Sequence, residues 1–301
     1  MTDQQKQKKR GNKAGFLFFQ YTTRIFGLSG AYKVLFFVCL YYLIFDRDAV
    51  KKAEYYIKRR FPNCSIIKRY YHIYILFINQ GKQLIDRYAH RKAPELFKMS
   101  IEGTEQTIST VKNLNSGCII LTSHIGNWQL GMDALQHLNY KKLHMLMRPE
   151  DNKAVQETLA LNPSIDMEFI STSGFLGGTI DVLKALENGD IVSIMGDRSY
   201  GTQTVDISFL GEKAYFPYSA FFFAASANCP IVTLYVVKED KKNYKVYMNK
   251  FLYPKFKHKA GKKAEQLRPW VQEFANELES FTKKYPYQCF LFNNVWSTDS
   301  N

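Results

Sequence analysis

The sequence predicts an α/β fold, a mixed and mostly parallel sheet flanked by helices, preceded by an apolar N-terminal helix that anchors the chain to a membrane. Three observations predict it. From about residue 100 short apolar runs alternate with helical stretches that end in turn signals such as Asn115-Ser116-Gly117 and Asn188-Gly189, the pattern of successive strand–helix–strand units. Before residue 100 lies a nearly continuous aliphatic and aromatic run. A chain of 301 residues, 46% hydrophobic and 23% charged, is also large enough to bury a sizeable core, which excludes a disordered chain and a disulfide-framed mini-protein.

In chain order, Val34 to Phe45 carries no charge, and extending the run back to Gly27 gives 19 residues with only Lys33 charged. That is close to the roughly 20 apolar residues a membrane span needs. Phe and Tyr inside the run and Lys and Arg around it suit a helix that lies in or tilts into one leaflet, the alternative being a buried core helix. A second, amphipathic helix is expected within 58–78, with Ile73, Leu76, Phe77 and Ile78 on its apolar side. Beyond it come a helix over 105–115, a buried strand at 118–122, a helix over 126–137, a strand at 143–147 and a helical stretch near Glu157. A helical stretch over 174–187 and strands at 191–195, 231–237 and 244–248 follow. The last element is a long helix over 263–284 with Leu267, Val271, Phe274, Leu278 and Phe281 on one face. Composition divides the chain into a basic, aromatic helical region, 1–98, and an α/β region, 99–301.

The 41 Lys and Arg against 27 Asp and Glu leave a net charge of +14, which implies an anionic partner. Residues 1–60 hold 13 of the basic residues and four acids, so nine of the fourteen excess charges surround the apolar helix. That location favours an anionic membrane surface. No nucleic acid is expected as partner, since no RNP-type, KH-type or helix-turn-helix signal occurs. Five scattered cysteines without a CxxC pair point to reduced thiols in a cytosol-facing protein and give no zinc site. The basic start precedes an apolar stretch that begins late and lacks a small-residue cleavage site, so no cleavable signal peptide is expected.

The sharpest local feature is Leu121-Thr122-Ser123-His124-Ile125-Gly126-Asn127-Trp128-Gln129, a histidine just past a buried strand and before a helix. In open α/β sheets that edge is where ligands bind, and an imidazole there suits general-base work. Downstream, Met147-Arg148-Pro149-Glu150-Asp151-Asn152 and Ile194-Met195-Gly196-Asp197-Arg198 end two further strands with guanidinium groups and a carboxylate. Phe209-Leu210-Gly211 forms a turn before the aromatic segment Ala214 to Pro217. No GxSxG elbow is present, and Ser123 is expected to point away from His124, so no covalent intermediate on a serine is expected.

These motifs in this order, together with the apolar helix and the C-terminal Tyr285 to Trp296 segment, resemble the bacterial late acyltransferases of lipid A biosynthesis, within the wider lysophospholipid acyltransferase group. The resemblance covers nearly the whole chain. It implies a glycerol-phosphate acyltransferase-like sheet and transfer of a fatty acyl group from an acyl carrier protein or coenzyme A thioester to a hydroxyl of a membrane lipid. It implies no cofactor and no metal, and a place on the cytoplasmic face of the inner membrane. By the resemblance His124 is the general base of an HxxxxD/E motif, Arg148 belongs to a second, substrate-binding block and Asp197 to a third. Asn127, Trp128, Asn152 and Arg198 fall in the same blocks and are expected to bind substrate.

The sequence departs from the family pattern at the acid. Five residues after the histidine stands Gln129, which brings an amide oxygen able to orient the imidazole but no charge. Three outcomes follow: Gln129 orients His124, Asp133 one helical turn later supplies the charge, or the chain is a non-catalytic lipid-binding protein on the same fold. Backbone N–H groups around Gly126 and Asn127 are expected to steady the oxyanion.

Overall fold

The computed structural model describes residues 13–102, 116–135, 142–149, 167–173, 175–199, 203–258 and 261–297, with the single residues 109 and 114. The expected helices over 105–115 and near Glu157 lie outside the described residues or nearly so.

Three helices open the chain: α1 (Lys13–Phe45), α2 (Arg47–Arg60) and α3 (Ile66–Lys92). Helix α1 breaks at Gly27, where φ is 65°. Its segment Leu17–Phe45 is long and apolar enough to cross a membrane and is mostly unburied. One face, Ala31, Tyr32, Leu35 and Cys39, packs on α3, with Leu35 seated over Gly81. The other leaves Phe26, Phe37, Leu40, Tyr41, Ile44 and Phe45 exposed, apolar surface that suits a lipid phase better than water. Helix α1 is thus a candidate membrane anchor.

Asp46 and Ser65 cap α2 and α3 by accepting from the Ala49 and Lys68 amides, so the predicted amphipathic helix begins only after the Phe61–Cys64 turn. Its expected apolar face, Ile73, Leu76, Phe77 and Ile78, is buried.

The sheet follows. Strands β1 (Lys98–Glu102), β2 (Cys118–Thr122), β3 (Leu143–Met147), β4 (Met167–Ser171), β5 (Ile191–Met195), β8 (Ile231–Lys238) and β9 (Asn243–Leu252) lie in the order β1-β9-β8-β2-β5-β3-β4. All neighbours are parallel except the β8–β9 hairpin. Helices α4 (Trp128–Leu135), α5 (Thr179–Glu187), α6 (Ser219–Ala227) and α7 (Lys263–Lys284) are the described helices after β1. The apolar face expected for α7 is the buried one. A separate antiparallel pair, β6 (Thr204–Phe209) and β7 (Glu212–Pro217), turns at Leu210-Gly211 and lies against α7, where Gln272 both accepts from the Ser208 amide and donates to its carbonyl.

Chain order reverses around β2, since β3 and β4 lie beyond β5 on one side and β8 on the other. The carboxyl ends of β2, β3, β4, β5 and β8 therefore share one edge, the usual binding edge of such sheets. The regions 1–98 and 99–301 share one continuous core running from Ala31 in α1 to Trp296 near the C-terminus.

Candidate active site

Strand register sets the central pair. In the parallel β2–β5 ladder Leu121 faces Ile194 and Thr122 faces Met195, and the Gly196 amide extends the ladder by donating to the Thr122 carbonyl at 3.0 Å. Two residues past each strand end, the same offset brings His124 against Asp197. The His124 amide donates to Asp197 Oδ2 at 2.7 Å, and the imidazole Nδ1 lies 3.0 and 3.2 Å from the two carboxylate oxygens. A slip of one residue would turn every side chain on β5 to the other face and separate the pair.

Asp197 is fully buried, while the His124 side chain keeps about 20% of its surface exposed. Among the described residues His124 is the only basic side chain within ion-pair distance of Asp197. Tyr235 and Cys289 also lie near the carboxylate, and burial, reinforced by nearby negative charge that includes Asp197, raises both well above their ordinary pKa values. They stay neutral at physiological pH. A carboxylate at Nδ1 favours the tautomer with its proton on Nδ1, which leaves the Nε2 lone pair for an incoming proton donor. Nε2 has no protein partner among the described residues and is not buried.

The loop carrying His124 is clamped from two sides. The Phe290 amide donates to the His124 carbonyl at 2.8 Å and the Gly126 amide to the Gln288 carbonyl at 2.7 Å, so the C-terminal segment forms a short antiparallel bridge with the loop. On the other side the Asn127 amide donates to the Val236 carbonyl at 2.7 Å. Gly126 has φ of +61°, and a Cβ there would come within 1.7 Å of the Val236 oxygen, so only glycine fits. Because these two amides are spent on protein carbonyls, the expected oxyanion donors at Gly126 and Asn127 are not available. The expected helix at 126–137 accordingly begins only at Trp128 and is described to Leu135.

The remaining predicted residues separate into three groups. The expected orienter Gln129 is corrected: Asp197 occupies Nδ1, while the Gln129 side chain is buried and its Oε1 has no partner among the described residues. Asn127, expected to meet substrate, is fully buried with both ends of its amide engaged, Oδ1 by Arg87 Nε at 2.7 Å and Nδ2 by the Gln83 carbonyl at 3.2 Å. Trp128 starts α4 half-buried, packed on the core. Arg148 follows β3 and Arg198 follows Asp197, so both stand at the binding edge. The Asp133 side chain and all of Asn152 lie outside the described residues. Ser123 Oγ faces the Ile125 amide at 3.3 Å and is buried.

Sequence reasoning missed a second cluster on the β8 side. Buried Asp86 of α3 accepts from the hydroxyls of Tyr32 in α1 and Tyr244 in β9 and from the Lys238 ammonium at the end of β8. Tyr244 also bonds the Asn127 side chain, and Asn127 in turn holds Arg87. Burial raises the pKa of Asp86 and lowers that of Lys238, each opposed by the charge of the other. Nothing in the local sequence signals this cluster, whose members come from four elements. The His124–Asp197 pair did leave a signal: both Cys118–Thr122 and Ile191–Met195 are five-residue apolar strands followed by one small residue and then the functional one.

Among the described residues no group of three or more His, Cys, Asp or Glu could hold a metal ion. A model of the family described as bacterial lipid A biosynthesis acyltransferase matches residues 42–298. No curated protein matches the chain.

Proposed function

From the premise that the chain belongs to the bacterial lipid A biosynthesis acyltransferases, and so to a family of acyl-transfer enzymes, we propose that it moves a fatty acyl group from an acyl thioester to a hydroxyl of a membrane lipid, with His124 as general base and Asp197 as its positioning residue. The observation that carries this reading is the hydrogen-bonded pair of a partly exposed imidazole and a wholly buried carboxylate at the binding edge of the sheet. Nε2 takes the proton of the acceptor hydroxyl as the oxygen attacks the thioester carbonyl. The tetrahedral intermediate then collapses, its C–S bond breaks, and the departing sulfur takes the proton back from Nε2. Asp197 stabilises the imidazolium between the two transfers, as the third member of a triad does. Arg148 and Arg198, and Asn152 beside them in the sequence pattern, serve anionic groups of donor or acceptor.

The donor is an acyl carrier protein or coenzyme A thioester, and the protein works at the cytoplasmic face of the inner membrane, held by α1 and by basic residues attracted to anionic lipid. The non-catalytic alternative drew its support from Gln129. The carboxylate of Asp197, 73 residues after His124 and placed at its Nδ1, weakens that support. The test compares lipids from cells expressing wild type, His124→Ala or neither. An acylated species found only with wild type supports the reading and names acceptor and chain; identical profiles from wild type and His124→Ala would sink it.

A further inference from the structure

Arg87 does not belong to any motif of the sequence, yet α3 delivers its guanidinium to the segment that carries His124. Its Nε donates to Asn127 Oδ1 at 2.7 Å, three residues after the histidine. Asn127 is itself immobilised, fully buried and held by the Gln83 carbonyl and the Tyr244 hydroxyl, so the guanidinium has a fixed direction. The side chain is half-buried, and desolvation lowers its pKa to about 10, which still leaves it charged at neutral pH. No carboxylate among the described residues pairs with it. The nearest in sequence, Asp86, is already taken by Lys238, Tyr32 and Tyr244. Among the described residues its two terminal nitrogens have no acceptor, and they are not sealed in the interior.

A partly desolvated positive charge with no carboxylate partner among the described residues is stabilised when an anion arrives. A guanidinium held at Nε with its terminal nitrogens free presents donors suited to a phosphate or similar oxyanion. We infer that Arg87 is a binding residue for a phosphate group of one substrate, held on the β8 side of His124. The inference rests on the acyl-transfer reading only for what it says about substrates. In that reaction the phosphate has two possible sources, the phosphopantetheine portion of the donor or a phosphorylated acceptor lipid.

Equilibrium binding to the full-length protein in detergent separates them without any turnover. Coenzyme A serves as donor probe and short-chain dihexanoyl phosphatidate as lipid-phosphate probe, with dihexanoylglycerol as the phosphate-free control. Arg87→Met should weaken binding of one phosphate probe on the order of tenfold, leaving dihexanoylglycerol unaffected, and the probe affected names the source. Asn127→Asp, which places an internal carboxylate against Arg87 while keeping the arginine, should weaken the same probe and guards against a folding defect in Arg87→Met. If both variants bind both phosphate probes as wild type does, or wild type binds neither, the inference is overturned. A wild type that binds a phosphate probe through Arg87 but transfers no acyl group would instead count against the proposed function.

Discussion

The two flanks of the loop from Ser123 to Trp128 are built by different means. On the β5 side His124 meets Asp197 because two adjacent parallel strands keep one register past their ends, so a handful of backbone hydrogen bonds fixes the geometry. On the β8 side the same loop meets Arg87 through side chains drawn from α1, α3, β8 and β9, arranged around Asp86 and Asn127. The first flank is rigid in the way sheets are rigid. The second ties the loop to helix α1, the candidate membrane anchor, through Tyr32. The proposed proton transfer thus sits on the scaffold, and the flank proposed to read the substrate sits where the candidate anchor helix can influence it.

Breaking the β5 flank should have the largest effect on rate. Asp197→Asn keeps the shape but removes the charge and the tautomer preference, and kcat should fall by about 10³–10⁴-fold with little change in unfolding temperature. Steady-state kinetics beside thermal melts check both halves. On the β8 flank the largest effect should be on stability. Lys238→Met leaves Asp86 buried without its cation and should cost about 3–5 kcal/mol, read by denaturant unfolding.

Two smaller changes sharpen the contrast. Gln129→Leu replaces a buried amide whose oxygen has no partner among the described residues, so stability should rise by up to about 1 kcal/mol and turnover should stay near that of the parent. A large loss of turnover would return Gln129 to the mechanism. The smallest effect concerns Glu277 of α7, held by the hydroxyls of Thr233 and Tyr235 behind Asp197. Burial raises its pKa, so the folded protein binds the proton more tightly than the unfolded chain. Its contribution to stability is therefore full below the usual Glu range and is lost as pH rises through the raised value. Glu277→Gln should gain in melting temperature relative to the parent as pH rises from about 4 to 8; a difference that does not change with pH would contradict this.

The legible parts of the fold were those that bury apolar residues in simple patterns. Cys118–Thr122, Leu143–Met147 and Ile191–Met195 are short, almost wholly apolar and bounded by turn residues, and α7 repeats its apolar residues at helical spacing. Strands β1 (KMSIE) and β4 (MEFIS) escaped notice because each is an outermost strand, only partly covered, and carries charge. Helix α2 escaped because its Lys and Arg hide the buried stripe Val50, Ala53, Tyr56 and Ile57. The hairpin β6–β7 was seen only as a turn, and the Gln272 and Glu279 side chains that hold it come from a helix distant in the sequence. In the site, His124 and the three strand-end motifs were readable. The partner of His124 was not, because adjacency of β2 and β5 is a property of sheet order, and β3 and β4 intervene in the chain.

The central claim is that Asp197, not Gln129, holds the His124 imidazole. Nitrogen-15 NMR of the histidine side chains, with His124 assigned by its disappearance in His124→Ala, tests it most directly. Within the neutral form of the imidazole the proton is expected on Nδ1 in the parent and in Gln129→Leu, with that tautomer preference lost in Asp197→Asn. A preference that survives in Asp197→Asn but vanishes in Gln129→Leu would contradict it.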